Sequence, residues 1–93
     1  MICWGDDMRD LSEIRQEINE IDEKMLELFK RRMDCSKDVA EYKTANNIPV
    51  LNEKREKEIL DKVYENGGGY GSYSRELFKK IMELSRALQN EII

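Results

Sequence analysis

Residues 11–42 read LSEIRQEINEIDEKMLELFKRRMDCSKDVAEY and carry one repeat from end to end. Its steps alternate between three and four residues, the spacing of a long helix that packs along a narrow stripe. Nine of the ten stripe positions are apolar or nearly so. They are Leu11, Ile14, Ile18, Ile21, Met25, Leu28, Cys35, Val39 and Tyr42, with Arg32 as the tenth. A guanidinium in such a stripe predicts either an anionic ligand beside it or a register-setting polar contact between helices.

The composition, with one Pro and 39% charged residues in 93, favours an all-α protein with three helices per chain. The very long first helix is expected from about residues 7–10 to residues 44–46. Asn52 can cap a second helix, Glu53 to about Tyr64, and Ser74 a third, Arg75 to about Glu91. Residues 66–72, rich in glycine, are expected to form a flexible connection.

The length of the first helix predicts a partner. About 35 residues at 1.5 Å each give roughly 50 Å, too long for a compact monomer of this size. The stripe centres on residues 26–27, so an antiparallel two-fold pairing sets residue 15 of one copy level with residue 38 of the other. The partner's Arg15 then arrives between Arg32 and Lys43. We therefore expect an intertwined helical homodimer in which three scattered cations become one cluster.

Charge and composition narrow the classes of function. A net charge of −4 argues against nucleic-acid binding. No apolar run reaches the length of a membrane span, and no signal peptide is visible, so we expect a cytoplasmic protein without a membrane partner. With no histidine, histidine-activated nucleophiles and histidine zinc sites are excluded, and neither metal nor cofactor is predicted.

One domain is expected. Residues 8–93 are assigned to a single helical domain, which is as much as a chain of this length supports. Residues 1–7 are interpreted as an N-terminal tail that is either disordered or covers apolar surface.

Several polar residues occupy inward or stripe-adjacent positions of the three helices. Ser85 and Gln89 interrupt an apolar stripe of the third helix, and buried groups of this kind need partners. Taken alone, Ser85 and Gln89 are better explained by a helix edge facing water, and the charged residues other than Arg32 by solvated surface. Together they suit a small dianion that carries a hydroxyl group. The set is Arg15, Arg32, Lys43, Arg55, Glu56, Ser85 and Gln89.

These residues stand in segments that resemble the all-helical chorismate mutase family over about residues 9–91. The matching segments are residues 14–18 (IRQEI), 21–22 (ID), 30–33 (KRRM), 39–43 (VAEYK), 48–50 (IPV) and 55–56 (RE), with Ser85 and Gln89. The resemblance implies an intertwined homodimer with two shared sites. It also implies conversion of chorismate to prephenate, toward phenylalanine and tyrosine, by a concerted rearrangement that needs no general base.

The resemblance also assigns roles. Arg32, Arg55 and the partner's Arg15 would bind the two carboxylates of chorismate, and Ser85 would assist. Lys43 and Gln89 would donate toward the ether oxygen as its bond to carbon breaks, making Lys43, Gln89 and Arg32 the expected catalytic residues. Glu56 would accept from the ring hydroxyl. Asn52 stands where the family often has Asp, and its substrate contact depends on whether backbone or side chain contributes.

Two other functions fit the same residues. Isochorismate pyruvate-lyases resemble the mutases and use a similar cationic site, but Glu56 favours the mutase. A non-catalytic helical dimerisation module would leave the same charges in solvent and bind no small dianion.

Overall fold

The computed structural model describes residues 8–92. Three α-helices follow in order: α1 is Leu11–Ala45, α2 is Glu53–Asn66 and α3 is Gly71–Ile92, with a 3-10 turn, Gly68–Tyr70, before α3. No strand occurs among these residues. The prediction of an all-α chain with a very long first helix is confirmed. The predicted tail, residues 1–7, lies outside the described residues, and the division at residue 8 stays a prediction.

The connection between α2 and α3 differs from the expectation. Ser74 does not cap α3, which already begins at Gly71, and the glycine-rich segment forms a 3-10 turn rather than a flexible loop. The Tyr70 amide donates to the Gly67 carbonyl over 2.9 Å. A Cβ atom at Gly71 would lie 2.5 Å from the carbonyl oxygen of Tyr64. Glycine is therefore required here for close backbone approach, not for flexibility.

The end of α1 is set by a Schellman motif. Asn47 has a positive φ of 55°, and the Ile48 amide donates to the Lys43 carbonyl over 2.8 Å. The Asn47 amide donates to the Thr44 carbonyl over 3.4 Å. Asn is one of the few residues other than Gly that adopts this conformation readily, so Asn47 stops the helix and turns the chain toward Asn52.

The described chain divides into two units, one ending at Arg32 and the other beginning at Met33. In the first unit, α1 exposes its apolar stripe: Ile18, Ile21 and Met25 are each about half exposed. In the second unit, Ala40 and Met82 are the buried hydrophobic residues among those described. Other apolar residues of this unit, such as Ile59, Val63 and Phe78, are only half-buried, so the core of the single chain is small.

The second unit shows which face of α1 packs within the chain. Ser36 and Ala40 are buried, whereas their stripe neighbours Cys35 and Val39 are exposed. The predicted stripe is therefore not the face that α1 turns toward α3. It remains an apolar surface on the outside of the single chain. None of the described helices combines the length and apolar character that crossing a bilayer requires.

Candidate active site

A buried chain of polar side chains links α1 to α3. The hydroxyl oxygens of Ser36 and Ser85 lie 2.6 Å apart, and Gln89 Nε2 donates to Ser85 Oγ over 3.1 Å. All three residues are less than a tenth exposed. Ser85 and Gln89 are therefore not a helix edge facing water. With Met82, they form the most buried stripe of α3.

The Gln89 amide lies at the end of this series of hydrogen bonds. Its Oε1 oxygen is buried and has no hydrogen-bond partner among the described residues. A buried polar atom without a partner costs about 1–3 kcal/mol. Such a cost persists in folded proteins mainly where a ligand or water later supplies the missing bond.

Lys43 is held at the C-terminal turn of α1. Its Nζ donates to the main-chain carbonyl of Val50 over 2.6 Å, and the residue is half-buried. An ammonium has three donors, so two N–H groups remain after this bond. The loop that follows α1 thus holds the side chain in place. Because the acceptor is a neutral carbonyl, the ammonium keeps its net positive charge.

The first turn of α2 carries the next group of predicted residues. Asn52 caps α2 as the sequence predicts: its side-chain oxygen accepts from the Arg55 amide over 3.0 Å. Arg55 is exposed in the single chain, whereas Glu56 is half-buried. The Asn52 side-chain oxygen is therefore committed to the cap of α2.

Glu56 has a partner that the sequence does not suggest. Arg86 of α3 contacts both carboxylate oxygens of Glu56 through a single nitrogen, Nη1. Their side chains are only 32% and 23% exposed. Arg86 follows Met82 by one helical turn, which places it beside the buried stripe, but no pattern in the sequence connects it with a carboxylate thirty residues earlier.

Ser36 is the second site residue that the sequence analysis missed. It follows Arg32 by four residues, so the two share one face of α1. This spacing could have indicated Ser36 from the sequence. The prediction instead assigned the inward face of α1 to the apolar stripe through Cys35. The two remaining predicted residues belong to the unit that ends at Arg32, where Arg15 is exposed and Arg32 is half-buried.

Two surface depressions accompany α2 and α3. A groove of about 600 Å³ is lined by the apolar Ile59, Val63 and Phe78 and by polar residues that include Arg55. A shallower one of about 370 Å³ includes Lys57, whose hydrogen bond to Asp61 raises the pKa of the lysine above its usual range. No cluster of three or more acidic or cysteine side chains placed to bind a metal occurs within residues 8–92.

Comparison with known proteins identifies the family. The sequence profile of the family described as chorismate mutase type II matches residues 14–90. The chain belongs to the chorismate mutase type II family. That match includes all the predicted site residues, from Arg15 to Gln89.

Relatives of known name agree with the family. A chorismate mutase of Methanocaldococcus jannaschii is 35% identical over 86 residues, which cover 89% of this chain and 87% of the relative. A bifunctional chorismate mutase/prephenate dehydratase of Aquifex aeolicus is 32% identical over 91% of this chain, but the match spans only 25% of that protein. The chain thus matches nearly all of the first relative and about a quarter of the second.

A solved structure shares the fold. It is described as a conserved hypothetical protein from Pyrococcus furiosus, with a TM-score of 0.70 and 33% identity over 85% of this chain and 93% of that one. The predicted family, and with it an isomerase of the chorismate mutase type, are confirmed. The lyase and the non-catalytic module are not favoured by any of these matches.

Proposed function

We propose that this chorismate mutase family member rearranges chorismate to prephenate in a polar cavity completed by a second copy of the chain. The substrate is a dianion with one ring hydroxyl and an ether bond that breaks during the reaction. The rearrangement is concerted, so the protein acts by holding the folded substrate and by stabilising the charge that develops. No cofactor is invoked.

The observation that carries the proposal is the buried, half-satisfied amide of Gln89. Its Nε2 is bonded to Ser85 and its Oε1 is unpartnered. A half-turn of the amide about its last bond exchanges the two ends. Ser85 then donates to Oε1, and the Nε2 hydrogens point to where the oxygen was. In that orientation Gln89 donates to the ether oxygen, and the unsatisfied atom disappears on binding.

The hydrogen bond between Ser36 and Ser85 is compatible with this orientation of the Gln89 amide. If Ser85 donates its single proton to Gln89, it can only accept from Ser36, across the 2.6 Å that separates the two oxygens. The proton order is then Ser36 to Ser85 to Gln89 to ligand. In this order Ser85 keeps both of its hydrogen bonds while the amide nitrogen faces the reacting bond.

Lys43 is proposed to stabilise the developing negative charge on the ether oxygen. Its tether to Val50 fixes the ammonium before the substrate arrives, which avoids the entropy cost of ordering a flexible side chain. A cation aimed at an atom that gains charge favours the transition state over the ground state. Loss of one such donor costs on the order of a hundred- to a thousandfold in rate.

The two substrate carboxylates are proposed to bind Arg32, Arg55 and the partner's Arg15. Guanidinium groups suit this task because they remain charged and bind carboxylates with two parallel hydrogen bonds. Arg55 is exposed in the single chain and is among the residues that line the groove, where an approaching second copy would bring further groups close. A direct contact of Ser85 with a carboxylate would need the single proton that Ser85 donates to Gln89, so Ser85 is proposed to assist through Gln89.

The homodimer is proposed to pair α1 antiparallel with α1 of the second copy. Two observations support it: the stripe of α1 is apolar and exposed, and the groove lined by Ile59, Val63 and Phe78 is open. A second copy would cover exposed apolar surface and enlarge the small core of the single chain. The cytoplasmic location remains a prediction.

The test is a product assay with the purified chain. Incubated with chorismate, it should yield prephenate, and incubated with isochorismate it should yield no salicylate. Salicylate from isochorismate without prephenate from chorismate would assign the lyase. Consumption of neither substrate, with the helical circular-dichroism signal intact, would refute both enzymes and leave the dimerisation module.

A further inference from the structure

We infer that Arg86 is a positioning residue that holds the Glu56 carboxylate for the ring hydroxyl of the substrate and offsets its charge. This inference rests on the proposed function, since it assigns Glu56 to that hydroxyl. It concerns a residue with no role in the set derived from the sequence. Arg86 acts through Glu56 and does not itself contact the substrate.

The first argument is geometric. Arg86 Nη1 donates to both oxygens of Glu56, joining the first turn of α2 to α3. The other ion pairs on these helices, such as Lys57–Asp61 and Lys80–Glu83, join neighbouring turns of one helix and are more than half exposed. Pairs of that exposed kind contribute little. The Glu56–Arg86 pair is less than a third exposed, so it restricts the carboxylate far more effectively.

The second argument concerns lone pairs. An ionised carboxylate offers about four acceptor positions on its two oxygens. One guanidinium nitrogen placed between the oxygens occupies one position on each of them. The remaining positions stay open to a hydroxyl donor. Arg86 therefore fixes the orientation of Glu56 and leaves it able to accept from the substrate.

The third argument concerns charge. An unpaired carboxylate in a cavity for a dianion repels the ligand that it is meant to bind, and reduced solvent screening strengthens that repulsion. Arg86 cancels the net charge of Glu56 and preserves its hydrogen-bonding oxygens. Glu56 can therefore accept from the substrate hydroxyl without adding a net negative charge that repels the dianion.

The test uses calorimetry with two ligands: a bicyclic dicarboxylate analogue of the transition state, and the same molecule without its hydroxyl group. For Arg86→Met we expect about tenfold weaker binding of the hydroxylated analogue, within the range for a lost bond to a charged group. The dehydroxy analogue is still a dianion and should weaken less, by about threefold, because it loses only the charge offset at Glu56 and not the hydroxyl contact. Arg86→Lys should restore part of the loss.

Two further variants complete the experiment. Glu56→Gln should weaken the hydroxylated analogue similarly, and adding Arg86→Met to it should produce little further loss, because both changes remove one interaction. Lys80→Met removes an exposed ion pair from the same helix and should affect neither ligand. If Arg86→Met does not fold, as judged by thermal melting, Arg86→Gln takes its place in the comparison.

Equal weakening of both analogues by Arg86→Met would overturn the inference, because it would mean that Arg86 acts through charge or helix packing alone and does not hold the carboxylate for the hydroxyl. Unchanged binding of both analogues would overturn it as well. The proposed function is judged separately, by prephenate formation in the unaltered chain. Either negative result can therefore be obtained with an active chorismate mutase.

Discussion

The ammonium of Lys43 and the main-chain carbonyl of Val50 are joined by a 2.6 Å hydrogen bond. This bond ties the last turn of α1 to the loop that leads to α2. The Schellman motif at Asn47 produces the turn that brings the two residues together. The local end of one helix thus sets the position of the cation with the central proposed role.

Replacement of Lys43 tests that role. Lys43→Ala should lower kcat/KM for chorismate by at least about a hundredfold, because a fixed charge at the breaking bond is lost. The far-ultraviolet circular dichroism should remain near wild type. Lys37→Ala, an exposed lysine on the same helix, is the matched control and should retain full activity. Normal turnover by the Lys43 variant would remove this residue from the mechanism.

The buried serine pair gives a prediction for Ser36. Ser36→Ala should reduce kcat several-fold, since Ser85 loses the partner that fixes its proton, and should destabilise the fold by about 1 kcal/mol. Stopped-flow kinetics and urea unfolding measure the two effects. Ser72→Ala, on an exposed serine of α3, should change neither quantity. An unchanged kcat together with the loss of stability would make Ser36 purely structural.

Substitutions of Asn52 test whether its side chain only caps α2 or also contacts the substrate. Asn52→Ala should destabilise the chain by about 1 kcal/mol, the usual cost of losing an N-cap. Asn52→Asp retains the acceptor for the Arg55 amide and should leave stability at or above that of the parent. Because this oxygen serves the cap, KM should also stay within about twofold in Asn52→Asp. A much lower KM would instead show that a carboxylate there contacts the substrate.

The exposed stripe of α1 predicts which substitution should prevent dimer formation. Met25→Glu places a charge next to the centre of the proposed pairing surface, so sedimentation should show loss of the dimer, accompanied by loss of helicity. Gln16→Glu adds the same charge on the opposite face of α1 and should leave a dimer. A stable, helical, monomeric Met25→Glu chain would contradict the idea that the second copy completes the core.

Periodicity made most of the fold predictable. The alternating steps between Leu11 and Tyr42 located α1, and Asn52 located the start of α2. The start of α3 was wrong because glycine residues are read as flexible. Gly71 is instead required by close packing against the Tyr64 carbonyl, a contact that only the folded chain reveals.

The site was predictable where polar residues interrupt an apolar pattern, as Ser85 and Gln89 do. Their burial confirms that they face inward, while their catalytic roles remain proposals. Arg86 and Ser36 could not be found in this way. Each pairs with a residue on another helix, 30 or more positions away, and such pairs depend on how the helices pack rather than on spacing along one of them.

The most direct test of the shared site uses two inactive chains. Arg15→Ala and Lys43→Ala should each be inactive alone. After unfolding and refolding together in equal amounts, they should recover about a quarter of the wild-type rate, because half of the dimers are mixed and each mixed dimer holds one intact site. No recovery, with mixed dimers demonstrated by native mass spectrometry, would contradict a site built from both copies.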